Sequence, residues 1–486
     1  MNDKKIKKKN LVKKSQNISK WYNEVVSRAK LVDQSEVKGA MIMRANSFEI
    51  WEQIKKVLDG WFKDYGVRNY YFPMLIPHYL LEKEKEHLKG FSPELAVVTH
   101  AGGKDLKEPY VLRPTSETII YKTFADWIES YRDLPFLINQ WCNIVRWEKR
   151  TYPFLRTSEF LWQEGHTAHK TKEQAKNMTL RALKWYEKIY KDYLAISSYV
   201  GIKSEQEKFA GAKKTYSIEI VVPNGKALQA ATSHNLGDNF SKVFNINFLD
   251  KKGKKNHPFQ TSWGLSTRSI GGLILVHGDD AGLIIPPKIA PNQVVIITVP
   301  CKDKKDQERV EKYSKEIMAE LEKNNFRVIL DSDNNHGFGF KINNWELKGI
   351  PLRLEIGANE VKNKKLTLAR RDNFKKQEVE RDQLINEVTS KLEMIQNNLL
   401  KKSQDIRNNM TIEVDDYEEF KKIAQGSKKF IRAFWCGNKK CENNIKHETK
   451  FSTRVLEIDQ LDKKEKGKCI YCGRKADHKW LFAQSY

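Results

Sequence analysis

Four side chains in one short stretch of the sequence have the chemistry to bind a nucleotide together. Arg146 and Glu148 precede a polar segment that contains Pro153, and Arg156 and Phe160 follow it. Two β-prone runs around such a turn predict a hairpin, and alternation would place Arg146 and Glu148 on one face of its first strand. A guanidinium binds phosphate oxygens, a carboxylate accepts from an exocyclic amine, and a ring stacks on a base. A solvated hairpin with scattered ion pairs is the alternative, because surface ion pairs are common and weak.

Helix-forming and strand-forming segments surround this stretch and must position it. Residues Asn46-Ser47-Phe48-Glu49 form a capping-box pattern, and apolar residues follow at helical spacing. An extended run from 70 to 76 ends at Pro77, and a second long helix is predicted from Thr171 through Tyr190 or beyond. Short strands then alternate with turns to about residue 285. Because strands dominate without a βαβ rhythm, this region predicts an antiparallel α+β domain.

The rest of the chain predicts two further units. Prolines at 286, 287 and 291 mark a linker, and β-prone and helical segments alternate after it as far as residue 356. This alternation predicts a small α/β domain with a mixed sheet. The third unit begins near residue 376 with a helix whose apolar face carries Leu384, Val388, Leu392, Ile395 and Leu399. We therefore expect a basic disordered arm at 1–17 and domains at 18–288, 289–375 and 376–486.

Four of the six cysteines cluster near the end of the sequence. They form two close pairs, Cys436 with Cys441 and Cys469 with Cys472. Two such pairs can fold back into a tetrahedral thiolate site of the kind that zinc prefers, with no coordination position left open. Free thiols or two disulfides are the alternatives. The other two, Cys142 and Cys301, look like ordinary packed residues.

Composition excludes several classes of protein. The chain has 486 residues, of which 40% are hydrophobic and 11% aromatic, so it is not a disordered protein. Its formal charge of +25 favours a polyanionic partner, nucleic acid before membrane, although a genome-wide bias toward lysine would give the same charge. The longest apolar runs, Gly272–Val276 and Val294–Val299, are too short to cross a bilayer, and the N-terminus lacks a signal-peptide core. We expect a soluble, cytoplasmic protein with no membrane association.

The hairpin resembles motif 2 of the class II aminoacyl-tRNA synthetases, which reads Arg-x-Glu, loop, Arg-x-x-x-Phe. The strings Arg-Pro-Thr-Ser-Glu-Thr at 113–118 and Trp-Gln-Glu-Gly-His-Thr-Ala-His at 162–169 resemble the prolyl-tRNA synthetases of the archaeal/eukaryotic type. Residues 261–268 resemble motif 3, and the helix and extended run before Pro77 resemble motif 1, which builds the class II dimer interface. The resemblance extends from about residue 18 to Tyr486, whose ring and carboxylate tend to pack toward the catalytic domain in this family.

The resemblance implies a proline–tRNA ligase. Such an enzyme activates L-proline with ATP to prolyl-adenylate and transfers the prolyl group to the terminal ribose of tRNA(Pro). It implies an antiparallel-sheet catalytic domain, a small α/β anticodon-binding domain and a C-terminal zinc-binding-like module, in a homodimer that uses ATP, magnesium and structural zinc. Adenylation requires positioning and stabilisation of developing phosphate charge, and no protein nucleophile is obligatory.

The resemblance assigns one set of side chains to ATP. Arg146 would hold the α-phosphate and the proline carboxylate, with Arg268 on the opposite side of ATP, so these two are the expected catalytic residues. The other contacts are Glu148 and Thr157 near adenine, Phe160 stacked on the base, Arg156 at the terminal phosphates, and Gln229, Thr232 and Ser266, of which Gln229 also meets magnesium. On the residues alone, Gln229 and Thr232 could instead cap a strand end. Thr267 stands where the usual class II pattern has Glu.

A second set is assigned to proline. Glu117, with Thr115, would pair with the secondary ammonium, and His234 would lie on the opposite wall. The other pocket residues are Ser116, Arg146, Trp162, Glu164, His166 and Phe209. Taken alone, His166 could equally be a structural histidine.

The region from 341 to 351 resembles the anticodon-reading segment of these enzymes. Lys341, Glu346 and Lys348 could meet tRNA bases or phosphates, although a solvated helix face would look the same.

Rival functions explain less of the sequence. A non-catalytic, tRNA-binding paralogue would need a damaged site, yet Arg146, Glu148 and Arg268 are present. A threonyl-type synthetase needs a cysteine well upstream of motif 2 for a catalytic metal, whereas Cys142 lies within motif 2. A zinc-ribbon nucleic-acid binder leaves the first 285 residues unexplained. The short span between motifs 2 and 3 leaves no room for an editing domain.

Overall fold

A computed structural model describes residues 11–82, 95–333 and 335–486. The first ten residues of the expected basic arm lie outside the described residues. Within the rest of the arm, Lys14 donates from Nζ to the carbonyl oxygens of Leu275 and Gly278, at 2.7 and 2.6 Å. Lys14 therefore packs on the first region of the chain, although the whole of 1–17 was expected to be disordered.

The first region combines a large sheet with helices packed against it. In chain order its helices and strands are α1 (Ile18–Arg28), β1 (Val32–Gln34), β2 (Met41–Met43), α2 (Ala45–Asp64), β3 (Arg68–Asn69), β4 (Leu75–Pro77), α3 (His78–Glu82), β5 (Val97–Ala101), β6 (Lys104–Leu112), α4 (Glu117–Trp127), β7 (Phe136–Val145), β8 (Glu159–His169), α5 (Lys172–Lys188), β9 (Ser198–Ile202), β10 (Lys214–Val221), β11 (Ala227–Gly237), α6 (Asn239–Val243), β12 (Phe248–Leu249), β13 (Lys255–Asn256), β14 (Phe259–Ser266) and α7 (Arg268–His277).

The large sheet runs in the order β9-β10-β11-β14-β8-β7-β3, and a short strand from the end of the chain joins the β9 edge. Its neighbours are antiparallel except for the pair β3 and β7. Helix α5 packs against the sheet through Met178, Ala182 and Tyr186, and Thr171 caps its N-terminus, as predicted. Long antiparallel strands with one covered face leave the other face free to carry a site.

Two local predictions in this region are wrong. Helix α2 begins at Ala45 without a side-chain cap, so Asn46 lies inside its first turn and donates from Nδ2 to the Ala29 carbonyl oxygen at 2.9 Å instead of capping the helix. The extended run predicted at 70–76 is a strand only from Leu75, where β4 pairs with β6. Within that run Phe72 donates its amide to the Gln140 side chain at 2.6 Å, which replaces a ladder hydrogen bond.

The second region is a mixed sheet with helices. Its elements are β15 (Val294–Thr298), α8 (Lys304–Lys323), β16 (Val328–Asp331), α9 (Phe338–Lys348), β17 (Leu352–Ile356), α10 (Ala358–Asn363), β18 (Lys365–Arg370), β19 (Lys376–Glu380) and α11 (Leu384–Asn409). The sheet order is β16-β15-β17-β18-β19, parallel over its first three strands and antiparallel over the rest. Strand β19 and the apolar face of α11 belong to this region's sheet and core, beyond the boundary that we expected at 375.

The C-terminal region packs on the first. Its elements are β20 (Thr411–Glu413), α12 (Tyr417–Gln425), β21 (Phe430–Phe434), α13 (Lys439–Thr449), β22 (Ser452–Thr453), β23 (Leu456–Glu457), β24 (Gly467–Lys468), β25 (Lys475–Ala476) and β26 (Lys479–Ala483). Strand β23 is the one that joins β9, and buried Arg454 binds Glu219 of β10 at 2.8 Å. The Tyr486 amide donates to the Ala227 carbonyl oxygen at 3.0 Å and the Tyr486 ring lies 6.3 Å from the Tyr152 ring, so the ring packs on the first region as expected.

Membrane-spanning helices are not found among the described residues, since each of their helices is too short or too polar.

Candidate active site

A cavity of about 290 Å³ lies over β8, β11 and β14, and most of the predicted site residues line it. These residues are Thr115, Glu117, Arg146, Phe160, Trp162, Glu164, His166, Phe209, Gln229, Thr232, His234, Ser266 and Arg268. The antiparallel strands bring together side chains that are far apart in sequence. The two predicted sets, for nucleotide and for amino acid, therefore share one cavity.

Arg146 lies at the cavity wall in the predicted hairpin. Strand β7 ends at Val145, so Arg146 and Glu148 lie in the loop beyond it, and the prediction that they share a strand face is wrong. Arg146 donates from Nε to the Pro114 carbonyl at 3.0 Å, and its guanidinium lies 5.5 and 5.7 Å from the ring centres of Phe160 and Trp162. These contacts fix a cation at the edge of the cavity.

Three predicted ATP contacts lie beside the cavity and do not line it. Arg156 donates to Glu148 across the hairpin loop, with 2.6 Å between Nε and Oε2. Thr157, the next residue, is buried. The pairing with Glu148 holds the Arg156 guanidinium in the hairpin loop, and the Arg156 side chain stays half-exposed.

Arg268 supplies the second cation of the cavity. It begins α7, is partly buried, and donates to the carbonyl oxygens of Leu155 and Gln229 at 3.1 and 3.3 Å. Burial lowers the pKa of this guanidinium from its ordinary value, but an arginine starts so high that it stays charged at neutral pH. The contacts hold Arg268 between the Gln229 backbone of β11 and the hairpin loop that contains Leu155.

Glu164 is the centre of a buried hydrogen-bond network. It accepts from Gln140 Nε2 at 2.8 Å and from the Ser116 hydroxyl, and His166 Nε2 lies 3.0 Å from its other oxygen. Burial raises the pKa of the Glu164 carboxyl, but the bond to His166 and the other hydrogen bonds outweigh it, so the pKa falls below its ordinary value. Tyr121 bonds the other nitrogen of His166 at 3.1 Å. Ser116 thus lies behind the wall that Glu164 and His166 form.

Two further groups face the amino-acid side of the cavity. Glu117 begins α4, is buried, and accepts from the Thr115 hydroxyl. The Thr215 hydroxyl lies 2.9 Å from His234 Nδ1, and the His234 ring lies 4.7 Å from the ring of Phe209. Burial lowers the pKa of His234 to about 3, so this imidazole is neutral at physiological pH. The cavity therefore combines a buried carboxylate with a neutral aromatic wall.

Sequence reasoning missed several lining residues. They are Glu207, Thr215, Ala230, Ala231, Ser262, Trp263, Gly264 and Leu265. Four of these belong to the quoted 261–268 string, where alternation along a strand from the predicted Ser266 could have found Ser262 and Gly264 but not Trp263 and Leu265. The Trp263 ring also explains why a glycine occupies position 165, since a Cβ on that residue would come within 2.1 Å of the ring. Thr215 and Glu207 stand in none of the motif strings, so the sequence did not indicate a role for them.

Comparisons with known proteins decide the family. A class II tRNA synthetase core domain, of the group that handles Gly, His, Pro, Ser and Thr, matches residues 98–277. An anticodon-binding domain matches 293–391, and the C-terminal domain of prolyl-tRNA synthetase matches 417–486. A proline–tRNA ligase of Borrelia garinii subsp. bavariensis is 49% identical over 98% of this chain and 99% of its own. The chain belongs to the prolyl-tRNA synthetase family. A second relative, the proline–tRNA ligase of Alkaliphilus oremlandii, is 47% identical over 96% of both chains.

A solved prolyl-tRNA synthetase has the same fold. The crystal structure from Cryptosporidium parvum, complexed with halofuginone and AMPPNP, matches with a TM-score of 0.93 and 42% identity, over 98% of this chain and 99% of that one. The predicted fold class is thereby confirmed: an α+β class II core with an antiparallel sheet, followed by an anticodon-binding domain and a C-terminal domain.

The four C-terminal cysteines of this prolyl-tRNA synthetase family member converge. Their sulfur atoms all lie within 4.8 Å of one another, and Cys436 Sγ is 3.8 Å from the sulfurs of both Cys441 and Cys472. Four thiolates around zinc, each at about 2.3 Å, would lie about 3.8 Å apart, whereas a disulfide needs about 2.05 Å. Burial raises the pKa of Cys472, but hydrogen bonds from Arg474 outweigh it and lower that pKa to about 6. The geometry fits a tetrahedral metal and does not fit disulfides.

The predicted anticodon contacts are partly engaged inside the protein. Lys341 is only 2% exposed, with Nζ 3.2 Å from the carbonyl oxygen and 3.4 Å from the carboxylate of Asp331. Glu346 accepts from Arg353 at 2.9 Å. These pairings argue against direct base contact by Lys341 or Glu346. Lys348 lies over the Trp345 ring at 4.5 Å.

Proposed function

We propose that this chain activates L-proline with ATP and transfers the prolyl group to tRNA(Pro). The observation that carries the proposal is the cavity in which Arg146, Arg268 and Glu117 converge, in a chain of the prolyl-tRNA synthetase family. Two cations suit a triphosphate and a carboxylate suits an ammonium. Labelled proline, ATP and tRNA(Pro) should yield prolyl-tRNA with purified protein, and tRNA left uncharged by folded protein would contradict the proposal.

Catalysis of the first step depends on positioning and charge. Arg146 binds the α-phosphate and the proline carboxylate together, so it aligns the attacking oxygen with phosphorus. Arg268 binds the nucleotide phosphates from the side of α7. Both guanidinium groups are held by carbonyl oxygens before the reaction, so little reorganisation accompanies the charge that develops. The carboxylate oxygen forms a bond to the α-phosphorus, and pyrophosphate leaves.

The remaining nucleotide contacts lie around these cations. Phe160 stacks on adenine, with Glu148 and Thr157 beside the base and Arg156 at the terminal phosphates. Gln229, Thr232 and Ser266 line the cavity from β11 and β14. The Gln229 side chain fits magnesium bound with ATP, because that ion usually takes one or two protein oxygens and keeps phosphate and water ligands. Bound magnesium would neutralise phosphate charge.

The amino-acid pocket recognises proline by charge and by shape. Glu117, supported by Thr115, accepts from the secondary ammonium. Trp162, His166, Phe209 and His234 surround the ring, and Ser116 and Glu164 hold this wall. A neutral His234 adds no repulsion toward the ammonium. This set supports an imino acid over a larger or more polar substrate.

The other regions extend the proposal to tRNA and to the enzyme's type. The second region would contact the anticodon, with Lys348 as the better placed of the three candidate residues. The expected domain limits stay a prediction, and β19 with α11 favours extending the second domain past 375. The C-terminal cysteine module, together with continuous core strands between motifs 2 and 3, supports the archaeal/eukaryotic type. We infer that the enzyme works in the cytoplasm, as a translation enzyme.

We propose that Cys436, Cys441, Cys469 and Cys472 hold one structural zinc ion. Metal analysis of protein purified without chelator should give about one zinc per chain. Cys472→Ser should lower the melting temperature more than it lowers pyrophosphate exchange, because the cluster lies outside the cavity. The matched control is Cys301→Ser, at a half-buried cysteine of the second region. Metal-free protein with an unchanged melting temperature would rule the site out.

We also propose a homodimer formed around the segment between α2 and α3. Large apolar side chains are exposed there, with Tyr71 at 73% exposure and Leu75 and Tyr79 nearby. Exposed apolar groups of this size mark association surfaces. Light scattering should give twice the chain mass, and Leu75→Asp should shift the protein toward monomer. A wild-type protein that stays monomeric at micromolar concentration would contradict the dimer.

A further inference from the structure

Residues 203–211, which we call the pocket segment, belong to the connection between β9 and β10 and form part of the cavity wall. Glu207 and Phe209 of this segment line the cavity. The Phe209 amide donates to the Thr215 hydroxyl at 2.9 Å, and the same hydroxyl bonds His234. The position of the pocket segment therefore determines where the Phe209 ring meets the amino acid.

The outer side of the pocket segment is bonded to one buried carboxylate in the C-terminal region. Glu442 on α13 accepts from the Ser204 hydroxyl at 2.7 Å and from Gln206 Nε2 at 3.1 Å. The hydroxyl of Thr453, on β22, donates to the same carboxylate. Glu442 is only 3% exposed. A buried carboxylate with several donors makes strong, directional bonds, so it can fix the segment.

Two other contacts join the pocket segment to the same helix. Lys446 Nζ lies 2.9 Å from a carboxylate oxygen of Glu207, which lines the cavity. Gln206 donates to the carbonyl oxygen of Lys439, the first residue of α13, at 3.0 Å. The helix also carries Cys441, immediately before Glu442. The cysteine cluster thus orients the helix that holds the cavity wall.

We propose that Glu442 is a positioning residue for proline binding. Through Ser204 and Gln206 it holds the pocket segment so that Phe209 faces His234 across the amino-acid side of the cavity. The inference rests on the proposed function, since the segment affects proline only if this cavity binds proline. The hairpin and α7 form the nucleotide side of the cavity. None of the contacts described above joins a side chain of the pocket segment to them. Loss of the carboxylate should therefore weaken proline binding selectively.

Steady-state pyrophosphate exchange with the full chain tests this role. Glu442→Gln should raise the KM for proline about tenfold and leave the KM for ATP within about twofold, because one charged hydrogen-bond acceptor is lost. The matched control is Glu448→Gln on the same helix, whose carboxylate accepts from Tyr417 and Tyr471 at 2.9 and 3.0 Å within the C-terminal region. The control should lower thermal stability without changing the ratio of the two KM values.

Ser204→Ala is a second test if Glu442→Gln fails to fold. It removes the hydroxyl donor on the pocket segment and leaves α13 unchanged. It should also raise the KM for proline selectively. In the double variant the two effects should not multiply, since both changes remove the same contact. Folded variants in which the KM for proline is unchanged, or in which the KM values for proline and ATP rise equally, would overturn this inference but not the proposed function. A wild-type chain without proline-dependent exchange would overturn the proposed function and this inference with it.

Discussion

Arg268→Ala should lower proline-dependent pyrophosphate exchange by about a hundredfold to a thousandfold, which corresponds to about 3–4 kcal/mol of lost transition-state stabilisation. The partly buried guanidinium already donates to the Leu155 and Gln229 carbonyl oxygens, so it is oriented before ATP binds. Arg146→Ala should have an effect of similar size from the opposite wall. The measurement is kcat/KM for exchange, with circular dichroism to confirm the fold.

Two further variants make the result on Arg268 specific. Arg268→Lys keeps the charge but loses the planar fork of donors, so it should recover only part of the activity. Arg309→Ala, at an exposed arginine of α8, should leave exchange unchanged. Near-wild-type exchange in folded Arg268→Ala would remove the catalytic role of this residue.

Glu117→Gln should raise the KM for proline by about a hundredfold or more, because a buried ammonium that loses its counter-charge is destabilised by about 3–5 kcal/mol. Glu117 is buried at the start of α4, and the Thr115 hydroxyl holds its carboxylate. The KM for ATP should change little, since the carboxylate serves the amino-acid side.

The control for Glu117 is Glu159→Gln, at an exposed carboxylate at the start of β8 that accepts from Asn143 at 2.8 Å. It should affect neither KM. Equal increases for proline and ATP in Glu117→Gln would show that Glu117 supports the whole cavity instead of recognising proline.

The sequence predicted the site better than it predicted local structure. Motif strings identified Arg146, Glu117 and Arg268, and the loop after β7, the start of α4 and the start of α7 bring them to one cavity. The alternating sequence pattern predicted that Arg146 and Glu148 lie on a strand, whereas β7 ends at Val145. Local alternation could not reveal where the ladder ends, because that depends on the pairing partner.

Side-chain partners and strand pairing could not be predicted from the sequence. Lys341 was considered a possible tRNA contact because residues 341–351 resemble the anticodon-reading segment, yet its ammonium is buried against Asp331. The bond between Ser204 and Glu442 joins residues from opposite parts of the chain, and neither stands in a motif string. Strand pairing also places β19 in the second sheet, whereas the sequence predicted a boundary at 375.

Amino-acid-dependent ATP–pyrophosphate exchange, run with each standard amino acid in turn, tests the central claim most directly. It reports the activation step without tRNA, so it depends on the cavity alone. We predict strong exchange with proline and little with larger or charged amino acids. Exchange that is strongest with another amino acid, or absent with all of them in folded protein, would contradict the proposed function.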